Sequence, residues 1–425
     1  MADLAMKSAL KSPLVTSANS SDKTQLPVYK VPYSSGVSLP LIQRISSETT
    51  ATLATALPGL KFVTKCNPSG FWKMAYVRMN YRFSAILTGS TTLWGPVGLT
   101  MCDHEVKTFS TTLRTQTAEL TQSALNTLSA DVKASIIDRA FIHNAAGDVV
   151  LTPLVNTDYH SYCPIFFASF ENPRNNWDLS TLEPITVVST FRTVAKMGLV
   201  NTTTTLNAIG TLPPIELFQF VADRPIEDSL KIYDVNFTNQ EYAFLGYDAE
   251  TQITPYTGTA ATAASGVAPA MKLPTTVPAF ATHMYARLAS AAAGGFATQN
   301  IRLTRVDINL NNSPFYYDIP TDMSSAMTDM MGGSAGLTLV EPASATVGSV
   351  AAREVSKIST INWNEKLDRT GYSGSLAFGS INNPEFIFYF AIVDASVYEL
   401  VIVTEFYTSL ILNGQSGRVY KSISS

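Results

Sequence analysis

The sequence is poor in charge. Only 15% of its 425 residues are Asp, Glu, Lys or Arg, against about 25% in a typical soluble domain. The formal net charge of −4 provides no global positive field that would attract phosphates. The first thirty residues hold four lysines and two aspartates. This small positive excess excludes the dense basic arm with which some proteins neutralise packaged RNA.

Cysteines, long apolar runs and a secretion signal are also lacking. Cys66, Cys102 and Cys163 are too few for a disulfide framework, so we expect small core residues in a reducing compartment. The longest apolar runs are too short and too interrupted to span a bilayer. The N-terminus has neither the continuous apolar core nor the cleavage site of a signal peptide, so we expect no secretory leader.

Patterns that bind metals, phosphates or substrates are scarce as well. The sequence contains neither a Walker sequence nor a strand–GxGxxG–helix unit. His160 and Cys163 would supply half a metal site at most. His104 lies next to Asp103 and near Cys102, but neighbours along a strand point to opposite faces. We therefore predict no catalytic, metal-binding or cofactor-binding residues, and no enzyme.

Three further groups have both a functional and a structural interpretation. An acidic group could serve glycoside hydrolysis if its side chains converged: Asp223, Glu227 and Asp228. A group of aspartates could contribute to calcium binding: Asp307, Asp318, Asp322 and Asp329. A strand with basic and aromatic residues could bind nucleic acid: Tyr76, Arg78, Tyr81 and Arg82. The structural interpretation is favoured for each: a solvated cluster, unconnected aspartates, and a half-buried strand with arginines on its wet face.

The sequence is instead rich in strand-forming patterns. Hydrophobic residues make up 46% of it, and 23 Gly and 22 Pro provide turns. Strands are predicted where apolar and aromatic residues alternate or form short runs bounded by turns. These segments are 71–87, 148–155, 165–170, 185–194, 230–237, 301–310, 376–378, 385–393 and 397–412.

A few helices are predicted between the strands. Apolar residues three or four apart indicate helices within 113–130 and 277–293, and a capping Thr begins a short helix that Gly332 and Gly333 end. The residues that define them are Leu120, Ala124, Leu125 and Leu128; Phe280, Met284 and Leu288; and Thr321, Met323, Met327 and Met330. The methionines are interpreted as core residues.

Two segments lack periodicity. Residues 1–60 are polar and punctuated by prolines, which predicts an extended N-terminal arm. Residues 250–278 are small, polar and rich in Pro and Gly, which predicts a linker or exposed loop. The length suits two domains, and the second segment is the strongest candidate for the boundary between them.

The C-terminal region resembles a known family. Ser373-Gly374-Ser375-Leu376-Ala377-Phe378 matches the Ser-Gly-Ser-Leu-x-Phe segment before that family's last strands, and Ile381-Asn382-Asn383 lies at its short turn. Residues 407–420 are similar to its closing Tyr-Asn-x-Leu segment, Gly-rich turn and final aromatic. Residues 306–312 (VDINLNN) resemble its Asn-ended strand. The family is that of the double jelly-roll major capsid proteins of tailless icosahedral double-stranded DNA viruses.

The resemblance covers about the last 125 residues and departs from the family at identifiable positions. Thr408 stands where Asn is usual, Tyr372 replaces a common Pro, and the Gly turn is shorter. No segment of the first half matches a family motif.

The resemblance implies a fold and a function. The fold would be mainly β, with two jelly-roll sandwiches over 61–249 and 279–425 and short helices in loops. The function would be that of a major capsid protein in the virion. It would be assembled inside the host cell, as homotrimeric pseudo-hexagonal capsomers of an icosahedral shell. Its partners would be copies of itself, penton or minor capsid proteins and a host receptor, without a cofactor or sequence-specific nucleic acid.

Alternatives remain open at the level of sequence. A single jelly roll with a protruding insertion, as in capsid proteins of small RNA or single-stranded DNA viruses, would contain the same aromatic strands. A receptor-binding or glycan-binding viral β-sandwich would present an exposed aromatic platform. A β-sandwich hydrolase would have a converging acid pair. Oligomer mass, glycan binding and hydrolase assays discriminate among them.

Overall fold

The structure is a computed structural model, and it describes a little over half of the chain. The described residues are 40–48, 51–53, 55–67, 71–85, 95–125, 128, 130–167, 177–178, 183–194, 196–197, 205–222, 241–257, 266–267, 271–272, 278–288, 300–301, 303–316, 359–364, 374–390, 397–413 and 416–423.

The first part of the described chain contains ten strands, two α-helices and one short 3-10 helix (Val97–Leu99). In chain order the strands are β1 (Pro40–Ser46), β2 (Lys61–Lys65), β3 (Phe71–Ala85), β4 (Cys102–Lys107), β5 (Thr112–Gln116), β6 (Asp158–Ile165), β7 (Trp177–Asp178), β8 (Thr186–Phe191), β9 (Thr205–Asn207) and β10 (Ile215–Ala222). The helices α1 (Ala118–Ala124) and α2 (Ala130–Ala140) lie between β5 and β6.

These strands form two antiparallel sheets. One sheet has the order β1-β10-β3-β6, and the short strands β7 and β9 also pair with β3. The other sheet has the order β2-β8-β4-β5. Most consecutive long strands alternate between the two sheets, and the last long strand lies between the first and the third. This connectivity is that of a jelly roll.

The second part of the described chain contains twelve strands. They are β11 (Glu241–Thr257), β12 (Gly266–Val267), β13 (Met271–Lys272), β14 (Pro278–Leu288), β15 (Asn300–Ile301), β16 (Leu303–Leu310), β17 (Ser313–Tyr316), β18 (Ser359–Asn362), β19 (Leu376–Ala377), β20 (Glu385–Phe390), β21 (Val397–Asn413) and β22 (Val419–Ile423).

The second set of strands repeats the arrangement of the first. One sheet has the order β11-β21-β14, with β15, β18 and β19 paired to β14 and β22 paired to β21. The other has the order β12-β20-β16-β17, with β13 also paired to β20. The first, third and last long strands again share a sheet. The chain therefore contains two jelly rolls, and the single jelly-roll alternative is wrong.

Alternation along β3 creates the core of the first sandwich. Val77, Met79, Tyr81 and Phe83 are fully buried, and their neighbours point to the other face of the sheet. A bulge opposite Phe220 and Val221 brings Trp72 to the buried face as well. Each of these large side chains contributes roughly 1.5–3 kcal/mol by leaving water.

The second core forms between the two sheets of the second sandwich. Its buried residues come from strands β14, β16, β18, β20 and β21 and are apolar. They include Met284, Ala286, Leu303, Ile308, Phe386, Phe388, Leu400 and Ile402. Strand β21 is buried on both faces over residues 400–410, as predicted. Strand β20 is not: Phe386 and Phe388 are buried, whereas Ile387 and Tyr389 on its other face are partly exposed, so the prediction is wrong for β20.

Several predicted strands are confirmed. The segments 71–87, 185–194, 301–310, 376–378, 385–393 and 397–412 contain β3, β8, β16, β19, β20 and β21. The segment 148–155 is a turn region with one isolated bridge at Val149, and the strand predicted at 165–170 lies earlier, as β6. The predictions for 230–237 and for the helix beginning at Thr321 lie outside the described residues.

The helix predicted within 277–293 is wrong, because this segment contains strand β14. Phe280, Met284 and Leu288 are four residues apart, which suits one helix face. Four is also an even number, so the same residues share one parity of a strand. Pairing with β21 along the length of β14 decides between the two.

The helical pattern of 113–130 is partly confirmed. Its beginning belongs to strand β5, and α1 holds Leu120 and Ala124. A second helix, α2, was not predicted there, since it begins only at the end of the segment.

The irregular segments contain strands. Residues 40–46 of the predicted arm form β1, which pairs along its whole length with β10. Residues 250–257 of the predicted linker complete β11, which pairs with β21 over seventeen residues. No described side chain of residues 41–46 or 250–257 is fully buried, so neither segment shows the apolar alternation of a half-buried strand, and pattern alone did not reveal them.

Two Asn-Asn pairs meet at one end of the second sandwich. Asn311 and Asn312 form the turn between β16 and β17 with φ of 54° and 59°, the backbone of a type I′ turn. The amide N–H of Asn382 donates to Oδ1 of Asn311 at 2.8 Å, and Asn383 also has a positive φ, 48°. Asn tolerates this conformation better than other residues that have a Cβ. The motif residues 306–312 and 381–383 therefore meet at one point.

This turn generates a stability prediction. We expect Asn312→Val to destabilise the chain by about 1–2 kcal/mol, because a β-branched residue is strained at positive φ. Asn312→Gly is the control and should have little effect on thermal unfolding. Equal unfolding temperatures for the Val and Gly variants would contradict the assignment of this turn.

Candidate functional site

The interface between the two sandwiches is the main candidate for a functional surface. Helix α1 of the first sandwich lies against the outer face of the sheet that contains β11, β21 and β14. Leu120 of α1 packs with Tyr285, Val401 and Val403, and Ala249 borders this cluster. The second sandwich therefore has apolar residues on both faces of this sheet: one face encloses its core and the other receives the first sandwich.

The local sequence builds α1 at this place. Thr117 caps the helix, since its Oγ1 accepts a hydrogen bond from the N–H of Leu120 at 3.1 Å. Asp103 accepts another from the N–H of Ala118 at 3.0 Å. Arg192 donates to Glu119 Oε1 at 2.6 Å, and both side chains are almost fully buried. These contacts hold α1 rigidly on the first sandwich and leave Leu120 directed to the second.

Polar contacts from β5 accompany the apolar ones. The guanidinium of Arg114, which is 1% exposed, donates from Nη1 to the carbonyl oxygen of Tyr247 at 2.6 Å. Asp248 lies 4.0 Å from the same guanidinium and forms an ion pair with Lys421 of its own sandwich. A buried charge without such partners would cost several kcal/mol, so Arg114 specifies the relative position of β5 and β11.

The closing turn of the chain also contacts the first sandwich. The carbonyl oxygen of Gly417 accepts from the N–H of Glu183 at 3.0 Å, and Arg418 lies 3.4 Å from the Glu183 carboxylate. Thr111 Oγ1 donates to the carbonyl oxygen of Val419 at 2.6 Å. Val419 itself is part of the first core. The motif 407–420 therefore connects the two sandwiches.

The tyrosine that begins this motif lies in an aromatic cluster of the second sandwich. The Tyr407 ring is 4.7 Å from Phe280 and 5.8 Å from Tyr247. Its hydroxyl oxygen accepts a hydrogen bond from Asn364 Nδ2 at 3.2 Å. Because Tyr247 also provides the carbonyl oxygen for Arg114, this cluster supports the interface from the side of the second sandwich.

The sequence did not identify Leu120, Arg114 and Tyr247 as interface residues. Leu120 was part of a predicted helical stripe, but a stripe does not say which neighbour it faces. Arg114 is a buried charge in a strand, a feature that only the fold reveals.

The histidine and cysteine candidates do not form a site. Cys163 is buried in the first core, whereas His160 is on the opposite face of β6, stacked at 5.5 Å on His143. Cys102 and His104 are both buried in β4, and His104 Nδ1 lies 2.9 Å from Ser189 Oγ. Burial raises the pKa of the Cys163 thiol to about 12. In the part of the chain that the structure describes, no three His, Cys, Asp or Glu side chains lie together as metal ligands would.

The other candidate groups are structural where they are described. Asp307 is buried and accepts hydrogen bonds from Arg305 at 2.7 Å and from the Tyr389 hydroxyl at 3.1 Å. Arg305 also lies over the Tyr389 ring. The remaining members of the aspartate group and the acidic group at 223–228 lie outside the described residues.

The basic and aromatic residues of β3 do not share one face. Tyr81 is fully buried and hydrogen-bonds with Ser161 Oγ at 2.7 Å, whereas Tyr76, Arg78 and Arg82 are on the other, partly exposed face. The interpretation as a half-buried strand with arginines on its wet face is confirmed. Within the described residues no helix has the length and apolar composition required to cross a membrane.

Solved structures with the same architecture are viral proteins. The VP54 protein of PBCV-1, fitted into a reconstruction of the virophage Sputnik, aligns with a TM-score of 0.63 at 13% identity, covering 92% of this chain and 98% of that chain. The Faustovirus major capsid protein aligns with a TM-score of 0.56 at 9% identity, covering 96% and 98%. The mavirus major capsid protein aligns with 0.55 at 8% identity, covering 92% and 91%.

These likenesses confirm the fold expected from the C-terminal motifs. The chain is a double jelly-roll protein, with both rolls represented in each of these structures. No protein-family model matches the sequence, and no curated protein matches it.

Buried histidines predict loss of stability in acid. Burial lowers the pKa of His104 to about 3, and burial together with the Arg78 and His143 charges lowers the pKa of His160 to about 4, from 6.5. The unfolded chain then binds protons that the folded chain does not, so stability is full above pH 6.5 and falls as pH falls toward 4. Each group adds a slope approaching about 1.4 kcal/mol per pH unit.

The variant His160→Gln tests this prediction. Between pH 7 and pH 5 the unfolding free energy of this variant should fall less steeply than that of the wild type. The difference in slope should approach the contribution of one proton, about 1.4 kcal/mol per pH unit. Slopes that match within error would show that His160 titrates normally in the folded chain.

The interface between the sandwiches also yields a prediction. We expect Leu120→Ala to cost about 2–5 kcal/mol and to accelerate amide hydrogen exchange in β21 around Val401 and Val403, because these residues lose their cover. Leu125→Ala is the matched control, since Leu125 is equally buried but packs within the first sandwich. Exchange in β21 that responds equally to both substitutions would contradict the role of Leu120.

Proposed function

We propose that this chain is a major capsid protein that self-assembles into the icosahedral shell of a virus. The observation that carries the proposal is the pair of jelly rolls packed against each other within one chain. The Faustovirus and mavirus proteins with this architecture are major capsid proteins. The location of the assembled protein would be the virion, after assembly inside the host cell.

The proposed building block is a homotrimer with a pseudo-hexagonal outline. Three chains with two sandwiches each supply six similar corners, and a closed ring of subunits needs only one type of contact between chains. The low proportion of charged residues supports large contact surfaces, because charge is depleted at the centres of interfaces.

The two sandwiches are proposed as the two structural domains. The described strands support a first domain that includes residues 40–222 and a second that includes residues 241–423. This division differs from the sequence-based one because β1 joins the first sandwich and β11 begins the second.

Other partners follow from the proposed function. A closed shell requires proteins at its five-fold vertices, so penton or minor capsid proteins are proposed partners, and a host receptor is another. The net charge of −4 offers no general attraction to nucleic acid, so sequence-specific binding to the genome is not part of the proposal. This role requires no catalytic residue, metal or cofactor.

The mass of the purified protein tests the proposal. Size-exclusion chromatography with light scattering should give three times 46.0 kDa, about 138 kDa, and negative-stain images of that peak should show compact hexagonal blocks. The images separate a capsomer from a trimer of another shape. A strict monomer at high protein concentration would contradict the proposed assembly and favour the glycan-binding or hydrolase alternatives.

A further inference from the structure

Two histidines meet at one side of the first sandwich. His143 follows helix α2, and His160 lies in β6, the last strand in the order β1-β10-β3-β6. The backbones of the two residues exchange N–H to carbonyl hydrogen bonds of 2.8 and 2.9 Å. Their side chains therefore lie on the same face, and the two rings stack with centroids 5.5 Å apart and planes inclined by 22°. We call His143 and His160 the histidine pair.

Hydrogen bonding places the proton of His143 on one ring nitrogen. Nδ1 lies 2.8 Å from the carbonyl oxygen of Phe141. Because a carbonyl oxygen only accepts, Nδ1 carries the proton and donates it, and the lone pair is on Nε2. An imidazole whose other nitrogen donates to a backbone carbonyl has the arrangement that is usual for metal-binding histidines.

Both imidazoles are neutral near pH 7. Burial lowers the pKa of His143 below 6.5, and burial together with the Arg78 and His143 charges lowers the pKa of His160 to about 4. Only the neutral form of an imidazole binds a metal ion. At this pH an ion therefore does not have to displace a proton from either ring.

The charges around the histidine pair largely offset one another. Asp138 and Arg139 bring one charge of each sign close to it. The positive charge of Arg78 also acts there, but its guanidinium lies 3.9 Å from the buried carboxylate of Glu216. A divalent cation would therefore not face an unbalanced positive group.

The other imidazoles and the thiols of the chain are inaccessible. The chain has four histidines and three cysteines, and all seven are among the described residues. His104 and His283 are fully buried, and the three cysteines are buried as well. His143 is only half-buried, so solvent reaches the histidine pair from its side. An ion that prefers imidazole can therefore meet two such ligands at this place.

We propose that His143 and His160 together bind one divalent transition-metal ion of the class that prefers imidazole, such as Cu²⁺, Ni²⁺ or Zn²⁺. Each ring supplies one nitrogen, and water completes the coordination. Metal–nitrogen bonds of about 2.0–2.1 Å require two donor atoms roughly 3–4 Å apart. Stacked rings at the observed separation reach this spacing by small side-chain rotations.

The bound ion fastens the segment after α2 to the sheet. His143 forms an isolated bridge with Val149 as well as with His160, and the N–H of Val150 donates to the carbonyl oxygen of Ile142 at 2.7 Å. A ligand that binds only the folded chain stabilises it, and here it would restrain residues 142–150 most. The site lies within one chain, so it does not depend on the proposed capsid function.

Titration of the untagged chain with Cu²⁺ at pH 7 tests the site. Calorimetry should give one ion per chain, and the EPR spectrum should show two coordinated imidazole nitrogens. His143→Gln and His160→Gln should each weaken binding by about tenfold or more, since loss of even an outer hydrogen bond costs that much at metal sites. Asp148→Asn is the matched control, because this exposed carboxylate lies in the same segment and should leave the affinity unchanged.

Amide hydrogen exchange locates the bound ion. Saturating Cu²⁺ should slow exchange in residues 142–150 of the wild type and not in the double variant His143→Gln/His160→Gln. Without metal, all variants should retain the circular dichroism spectrum of the wild type, which separates loss of a ligand from loss of folding.

Three results would overturn the inference: affinity that survives in the double variant, a spectrum with a single imidazole nitrogen, or unchanged exchange in residues 142–150 at saturation. Each would leave the capsid proposal standing. A chain that binds the ion as expected but forms no trimer would contradict only the capsid proposal.

Discussion

The packing of α1 against the outer face of the second sandwich is the contact on which the rest of the structure depends. A β-sheet in a sandwich has one face in the core and one face turned outward. In the second sandwich the outward face of β21 carries Val401 and Val403, and these apolar side chains must be covered. Leu120 supplies the cover, and the buried Arg114 sets its position relative to Tyr247. Two jelly rolls thus become one unit.

The need to cover the outer sheet face explains the low charge and the high hydrophobic content of the chain. A chain with 15% charged residues and 46% hydrophobic residues is unusual for a freely soluble protein. It is reasonable for one whose sheets are buried on both sides, by their own partner roll or by another chain. The few buried charges are paired across elements, as with Glu119 and Arg192 or Glu216 and Arg44. They therefore contribute to the placement of elements more than to net stability.

The sequence predicts the parts of the fold that depend on local pattern. The alternation along β3 and β16, the long apolar run of β21 and the Asn turns were all visible in the residue order. The segment now known as β14 was misassigned because a spacing of four residues fits a helix face and one parity of a strand equally well. The strands β1 and β11 were missed because their stability comes from long-range pairing with β10 and β21. The interface was beyond prediction for the same reason: Leu120 and Val403 are far apart in sequence, and only the folded topology brings them together.

The central claim is that α1 and Arg114 join the two jelly rolls of one chain into a single unit. A cryo-EM reconstruction of the purified protein tests it most directly. The account predicts two sandwiches in direct contact within each chain, with Leu120 of α1 packed on Val401 and Val403 of β21. Two sandwiches of one chain that stand apart, or Val401 and Val403 turned to solvent, would contradict it.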